Sequence, residues 1–143
     1  MIRRWNAVVG PEDTVYHLGD FGLSSVENLK SVFERLNGNK IAVLGNHDGS
    51  VARLRRIGFD RVEKSIVLED RTMLVHDRLT LDGAQVLESS DPQIRVSFLA
   101  YPRVLCGHVH NMWKRNGNCF NVGVDVWDFR PVTMSQIMEA EHG

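Results

Sequence analysis

Apolar and polar positions switch between two periods along this chain. Thr14-Val15-Tyr16-His17-Leu18 predicts a short strand that runs into Gly19-Asp20. Behind it Val26, Leu29, Phe33 and Leu36 recur at steps of three, four and three, which is one face of a helix. Ser24 and Glu27 read as a capping box at its start, and Gly38 as its stop. Lys40-Ile41-Ala42-Val43-Leu44 predicts a second strand, apolar enough for burial on both faces, that closes on Gly45-Asn46-His47-Asp48. A short helix follows, with Val51, Leu54 and Ile57 inward and Gly58 as its end. Val62 to Leu68 and Thr72 to Val75 predict two more strands, paired as a hairpin through Glu69-Asp70-Arg71. Arg103-Val104-Leu105-Cys106 is another buried strand, ending at Gly107-His108-Val109-His110. Asn116-Gly117-Asn118 is a hairpin turn, and Thr133 caps a last helix over Met134 to Ala140. From Asp77 to Pro102 the pattern is weak, with a turn at Asp82-Gly83 and a loop at Ser89-Ser90-Asp91-Pro92.

Strand, helix, strand, helix and then mostly strands predicts one α/β layered domain over residues 1–143 with a mixed sheet. Ligands of open α/β sheets bind beyond the carboxyl ends of strands. Asp20, Asn46 and His108 all fall at such ends.

Composition narrows the picture. A hydrophobic content of 43% suits a packed core. The formal net charge of −1, from 17 basic and 18 acidic residues, argues against binding nucleic acid through a broad basic field. It leaves nucleic acid open as a substrate of a local site. No apolar run is long enough to cross a bilayer, and the start has no apolar stretch of a signal peptide. The expected location is the cytoplasm, with Cys106 and Cys119 kept as thiols.

The strand-end clusters carry the chemistry. Asp20 offers a carboxylate able to bridge two cations, and Asn46 a neutral carbonyl oxygen. His76, His108 and His110 offer imidazole nitrogens, with the last two spaced so that a strand puts them on one face. Mixed oxygen and nitrogen ligands suit divalent metal ions such as Mn²⁺ best, with Fe or Zn²⁺ also compatible. Glycines precede Asp20, Asn46 and His108, where the backbone must turn sharply and come close to a ligand. His17 points away from the strand end in this reading and is a structural histidine. Arg53, Arg55, Arg56 and Arg61 read as a solvated helix face, and Trp5 as core.

Gly19-Asp20, Gly45-Asn46-His47-Asp48, His76 and Gly107-His108-Val109-His110, in that order, resemble the calcineurin-like metallophosphoesterase family. Asn121-Val122-Gly123-Val124-Asp125 resembles its closing segment. The resemblance spans nearly the whole chain. It implies a layered sandwich of mixed β-sheets flanked by helices, and hydrolysis of a phosphate mono- or diester by a metal-activated hydroxide. It implies that Asp20 bridges two metals, that Asn46, His76 and His108 complete the second site, and that His110 belongs to the first. His47 would not ligate metal but would steady the phosphoryl oxygens and protonate the leaving group, with Asp48 orienting it.

The family's opening motif, Asp-x-His, does not occur before Gly19. The expectation is therefore a domain whose N-terminal βα unit, on the order of 30 residues, is missing. The first metal site would then keep only Asp20 and His110. The alternative reading is a catalytically impaired metal-binding fragment or module that acts by docking to a partner. The presence of His47 favours the enzyme, because a purely structural site has no use for a non-ligand acid.

Overall fold

The computed structural model describes residues 2–22, 24–45, 47–76, 101–107, 114–127 and 130–142. Helix α1 (Ile2–Val8) leads to strand β1 (Thr14–His17), helix α2 (Val26–Arg35), strand β2 (Asn39–Val43), helix α3 (Val51–Ile57) and strand β3 (Arg61–Glu63). β1, β2 and β3 form one sheet in that order, every pair parallel, with His17 opposite Ala42 and Ala42 opposite Val62. Parallel neighbours need a crossover, and α2 and α3 supply the two.

The second sheet is mixed. It orders β4 (Ile66–Val67), β5 (Thr72–Leu74), β6 (Arg103–Cys106), β8 (Cys119–Asn121) and β7 (Arg115–Asn116). The pairs β5–β6 and β6–β8 are parallel, whereas β4–β5 and β7–β8 are antiparallel hairpins. Helix α4 (Met134–His142) closes the described chain. The predicted α/β layered architecture is therefore present, as two packed sheets with helices against them.

Side-chain alternation explains the layers. On β2, Ala42 packs with Leu29, Leu54, Ile57, Phe59 and Val62 under the crossover helices. Val43, pointing the other way, joins Leu18, Ile66, Leu74, Leu105, Phe120 and Ile137 between the sheets. Burying one such aliphatic side chain contributes roughly 1.5–3 kcal/mol. Trp5 on α1 is buried with Val9 and Leu36, and its indole N–H reaches the Asn37 carbonyl at 2.9 Å.

Three local expectations shift. The N-cap of α2 is Ser25, whose Oγ accepts from the Asn28 N–H at 3.2 Å; Ser24 Oγ instead takes the Asn28 side-chain amide. That helix ends at extended Leu36, two residues before Gly38. The predicted strand from Val62 to Leu68 is two strands in different sheets, β3 and β4. Val62 packs under the helices and Ile66 between the sheets, although equal parity would put both on one face of a continuous strand. The chain must therefore change sheets at Lys64-Ser65. The hairpin through Glu69-Asp70-Arg71, the turn at Gly117-Asn118 and the Thr133 cap, which trades hydrogen bonds with Gln136, form as expected. The weak segment up to residue 100 and the first residues of the last hairpin, 112–113, lie outside the described residues.

One ion cluster ties α4 to the mixed sheet. Arg103, 12% exposed, holds Glu141 Oε2 at 2.6 Å and Thr72 Oγ1 at 3.1 Å, with Asp70 at 3.6 Å. Removing one partner of a buried pair costs roughly 3–5 kcal/mol, and less where the other keeps water. Arg103→Met, which keeps the apolar stem, should therefore lower stability by about 2 kcal/mol. A urea midpoint unchanged from wild type would show that the cluster contributes nothing.

Candidate functional site

Three of the four described candidate side chains converge where strands end. Asp20 lies three residues past β1, His47 follows β2, and His76 lies two residues past β5. Asp20 Oδ2 is 3.1 Å from His47 Nδ1 and 3.3 Å from His76 Nε2. Its other oxygen accepts the His47 backbone N–H at 2.8 Å. Burial pushes the Asp20 carboxyl up, but the His47 amide and the two imidazoles outweigh it and leave its pKa below the ordinary carboxylate value. The group is thus an anion with two histidines against it.

His76 is oriented from behind. Its Nδ1 lies 2.8 Å from the Leu18 carbonyl oxygen, which can only accept, so Nδ1 carries the hydrogen. The lone pair of a neutral ring is then on Nε2, facing Asp20. A carboxylate oxygen and an imine lone pair attract at 3.3 Å only with a positive charge at or between them, a proton or a metal ion. A histidine that gives its other N–H to a backbone carbonyl is the usual arrangement of a metal ligand. The donor set therefore fits a divalent cation. Among the described residues no group of three His, Cys, Asp or Glu side chains surrounds one point as a complete site would. Asn46, His108 and His110 lie outside the described residues. Their described chain neighbours reach the same place: Gly45 touches Asp20, and the Gly107 N–H donates to the His76 carbonyl at 3.0 Å.

Two glycines make the approach possible. Gly19 has φ +103°, and a Cβ there would stand 2.3 Å from His76 Nδ1 and 2.7 Å from Gly45 Cα. A Cβ on Gly45 would stand 2.3 Å from Asp20 Oδ1 and 2.4 Å from Asp20 N. The loop after β1 and the loop after β2 are packed backbone against backbone, which only hydrogen side chains permit.

Asp48 behaves differently from the sequence expectation. Its carboxylate, 1% exposed, accepts the backbone N–H groups of Gly45 at 2.7 Å, Asp20 at 2.9 Å and Phe21 at 2.7 Å. The His47 ring is held by Asp20 instead. His17 also sits closer to the site than alternation suggests. Its Nδ1 accepts the Gly19 N–H at 3.3 Å, and its ring meets Phe21 edge-on at 5.2 Å. Burial lowers its pKa, helped by His76 and opposed by Asp48 and Asp20. Arg53 is not a solvated residue of α3: its guanidinium reaches the carbonyls of Ser24 at 2.7 Å and Asp48 at 3.2 Å. No spacing rule marks Arg53, because its acceptors are backbone groups of a loop brought in by the fold.

The family and the fold are shared with known proteins. The calcineurin-like phosphoesterase superfamily domain matches residues 1–126. The uncharacterized protein MJ1445 of Methanocaldococcus jannaschii is 26% identical over 97% of this chain and 72% of its own length. The crystal structure of the protein of unknown function AQ665 from Aquifex aeolicus is 26% identical, with a TM-score of 0.67 over 97% of this chain and 82% of that one. A family match over most of the chain, joined to an aspartate and two histidines gathered at strand ends, means that this protein belongs to the calcineurin-like phosphoesterase superfamily.

Proposed function

We propose that this chain is a metal-dependent phosphoesterase whose cation is held by Asp20 and His76, with Asn46, His108 and His110 completing the ligand set. The observation that carries the reading is the pair of Asp20 Oδ2 and His76 Nε2, 3.3 Å apart, with Nδ1–H of the ring already committed to Leu18. A divalent cation, Mn²⁺ by the oxygen and nitrogen donors, supplies Lewis-acid polarisation of a phosphoryl oxygen and a water of lowered pKa. The chain's own residues do the rest. Leu18 fixes the His76 tautomer. Asp20 holds His47 at Nδ1 and at its backbone N–H, so the ring has one orientation. His47 is 59% exposed on its side chain, open to an incoming substrate. Its Nε2 is the nitrogen that can pass a proton to the leaving oxygen as the P–O ester bond breaks and water oxygen bonds to phosphorus.

The substrate class is a phosphate mono- or diester. Mn²⁺-dependent hydrolysis of bis(p-nitrophenyl) phosphate and of p-nitrophenyl phosphate by the full chain tests the reading. His47→Ala should lower turnover roughly 10²–10⁴-fold, the range for a lost general acid, with Mn²⁺ affinity unchanged. Folded, Mn²⁺-loaded wild type that hydrolyses neither ester would instead favour a binding module.

A further inference from the structure

Two side chains lace the loop after β1 to the loop after β2. Asp48 takes three N–H groups, two on Oδ2 from Gly45 and Asp20 and one on Oδ1 from Phe21. Arg53 works on the carbonyls of the same loops, with Nη2 on Ser24 and Nη1 on Asp48 and, at the 3.5 Å limit, on Gly22. Asp20 lies inside this lacing with φ +57°. A left-handed backbone is strained for a residue with a Cβ, so something outside Asp20 must hold it there. The Asp20 N–H is bonded to Asp48 at 2.9 Å, and the next N–H, of Phe21, goes to the same carboxylate.

We propose that Asp48, supported by Arg53, is the positioning residue of this site. It holds Asp20 in its left-handed conformation and thereby sets where Oδ2 stands against His76 and His47. Its hold on the His47 ring runs through Asp20, whose Oδ2 meets that ring. The inference rests on Asp20 and His76 being cation ligands, as argued above. A carboxylate is needed because three donors converge on a buried group. It offers acceptors on both oxygens and no hydrogen, whereas an amide would turn an NH₂ against at least one backbone N–H. The metal-facing oxygen is then set by a residue that never touches the metal, and such outer partners govern affinity strongly.

The test uses the full chain and Mn²⁺ alone, followed by calorimetry, with amide exchange measured on the metal-free protein. Asp48→Asn should weaken Mn²⁺ binding about ten- to a hundredfold. Arg53→Met should weaken it several-fold, and it decides the matter with the same signs should Asp48→Asn not fold. Val104→Ala removes a fully buried β6 side chain from a cluster that holds no residue of either loop, and it should lose stability while keeping wild-type Mn²⁺ affinity. Exchange at Asp20 and Phe21 should accelerate in Asp48→Asn, with the β6 amides unchanged. Wild-type affinity in Asp48→Asn, or an equal loss in Val104→Ala, would overturn the proposal. If wild type itself takes no Mn²⁺, the metal reading fails by itself and the exchange arm decides. Acceleration confined to the two loops supports the positioning role, and unchanged or chain-wide exchange refutes it.

Discussion

Asp20→Asn should remove Mn²⁺ binding and lower ester hydrolysis by about 10³-fold, at only a modest loss of stability in the metal-free fold, whose lowered Asp20 pKa marks a carboxylate that the fold favours. The loss is modest because the amide keeps most of the geometry. Asparagine adopts the left-handed backbone as readily as aspartate, so φ +57° is kept. Its carbonyl oxygen can still accept the His47 N–H in place of Oδ1. Its NH₂ then stands where Oδ2 stood, 3.3 Å from His76 Nε2. That replaces a contact held by a proton or a cation with an N–H···N hydrogen bond to His76, which offsets part of the lost pairing with the two histidines. The activity loss follows from the lost anionic ligand, because cation polarisation contributes several kcal/mol and each 1.36 kcal/mol is tenfold in rate. Thermal melts with and without Mn²⁺ check it. Wild type should melt higher with the ion, by linkage, and the variant should melt at one temperature in both conditions. A variant that keeps the Mn²⁺-induced rise would mean that Asp20 is no ligand.

How much of this was legible before the fold is clearest from particular residues. Helical and strand periods found β1, α2, β2, α3, β5 and β6, because their faces are buried on regular elements. The same rule merged β3 with β4, since alternation says nothing about a bend that carries a chain from one sheet to another. Asp20, His47 and His76 were visible as residue types at strand ends, and the structure brings all three together. Their orientation was not visible. The Leu18 carbonyl that fixes His76 is 58 positions away in sequence, and the Asp48 bond to Asp20 spans 28. Backbone groups carry no signature in a sequence, so a carboxylate that binds three of them reads as just another acid beside a histidine. Arg53 reads as solvent-facing in the sequence for the same reason, since its acceptors are backbone carbonyls.

The contact between the loops gives the largest effect on stability. Gly19→Ala should destabilise the protein by on the order of 4 kcal/mol, summed from three costs. A Cβ at φ +103° is strained by roughly 1–2 kcal/mol. Pressing it against Gly45 Cα, 2.7 Å away, is overpacking worth roughly 1–3 kcal/mol. The third cost arises because His76 Nδ1, only 2.3 Å from the new atom, must move off the Leu18 carbonyl. That leaves a buried N–H without its acceptor, at roughly 1–3 kcal/mol. Gly117→Ala carries the cost of a positive φ without any contact. Gly117 also has positive φ, +63°, but nothing lies within 4 Å of its missing Cβ. It should lose about 1 kcal/mol. The difference between the two urea midpoints therefore measures the interlock of the loops after β1 and β2 together with the extra strain of φ +103° over φ +63°. Equal losses would mean that the loops do not press on each other. A large difference, together with lost Mn²⁺ affinity in refolded Gly19→Ala, would mean that one glycine keeps both the fold closed and His76 aimed at Asp20.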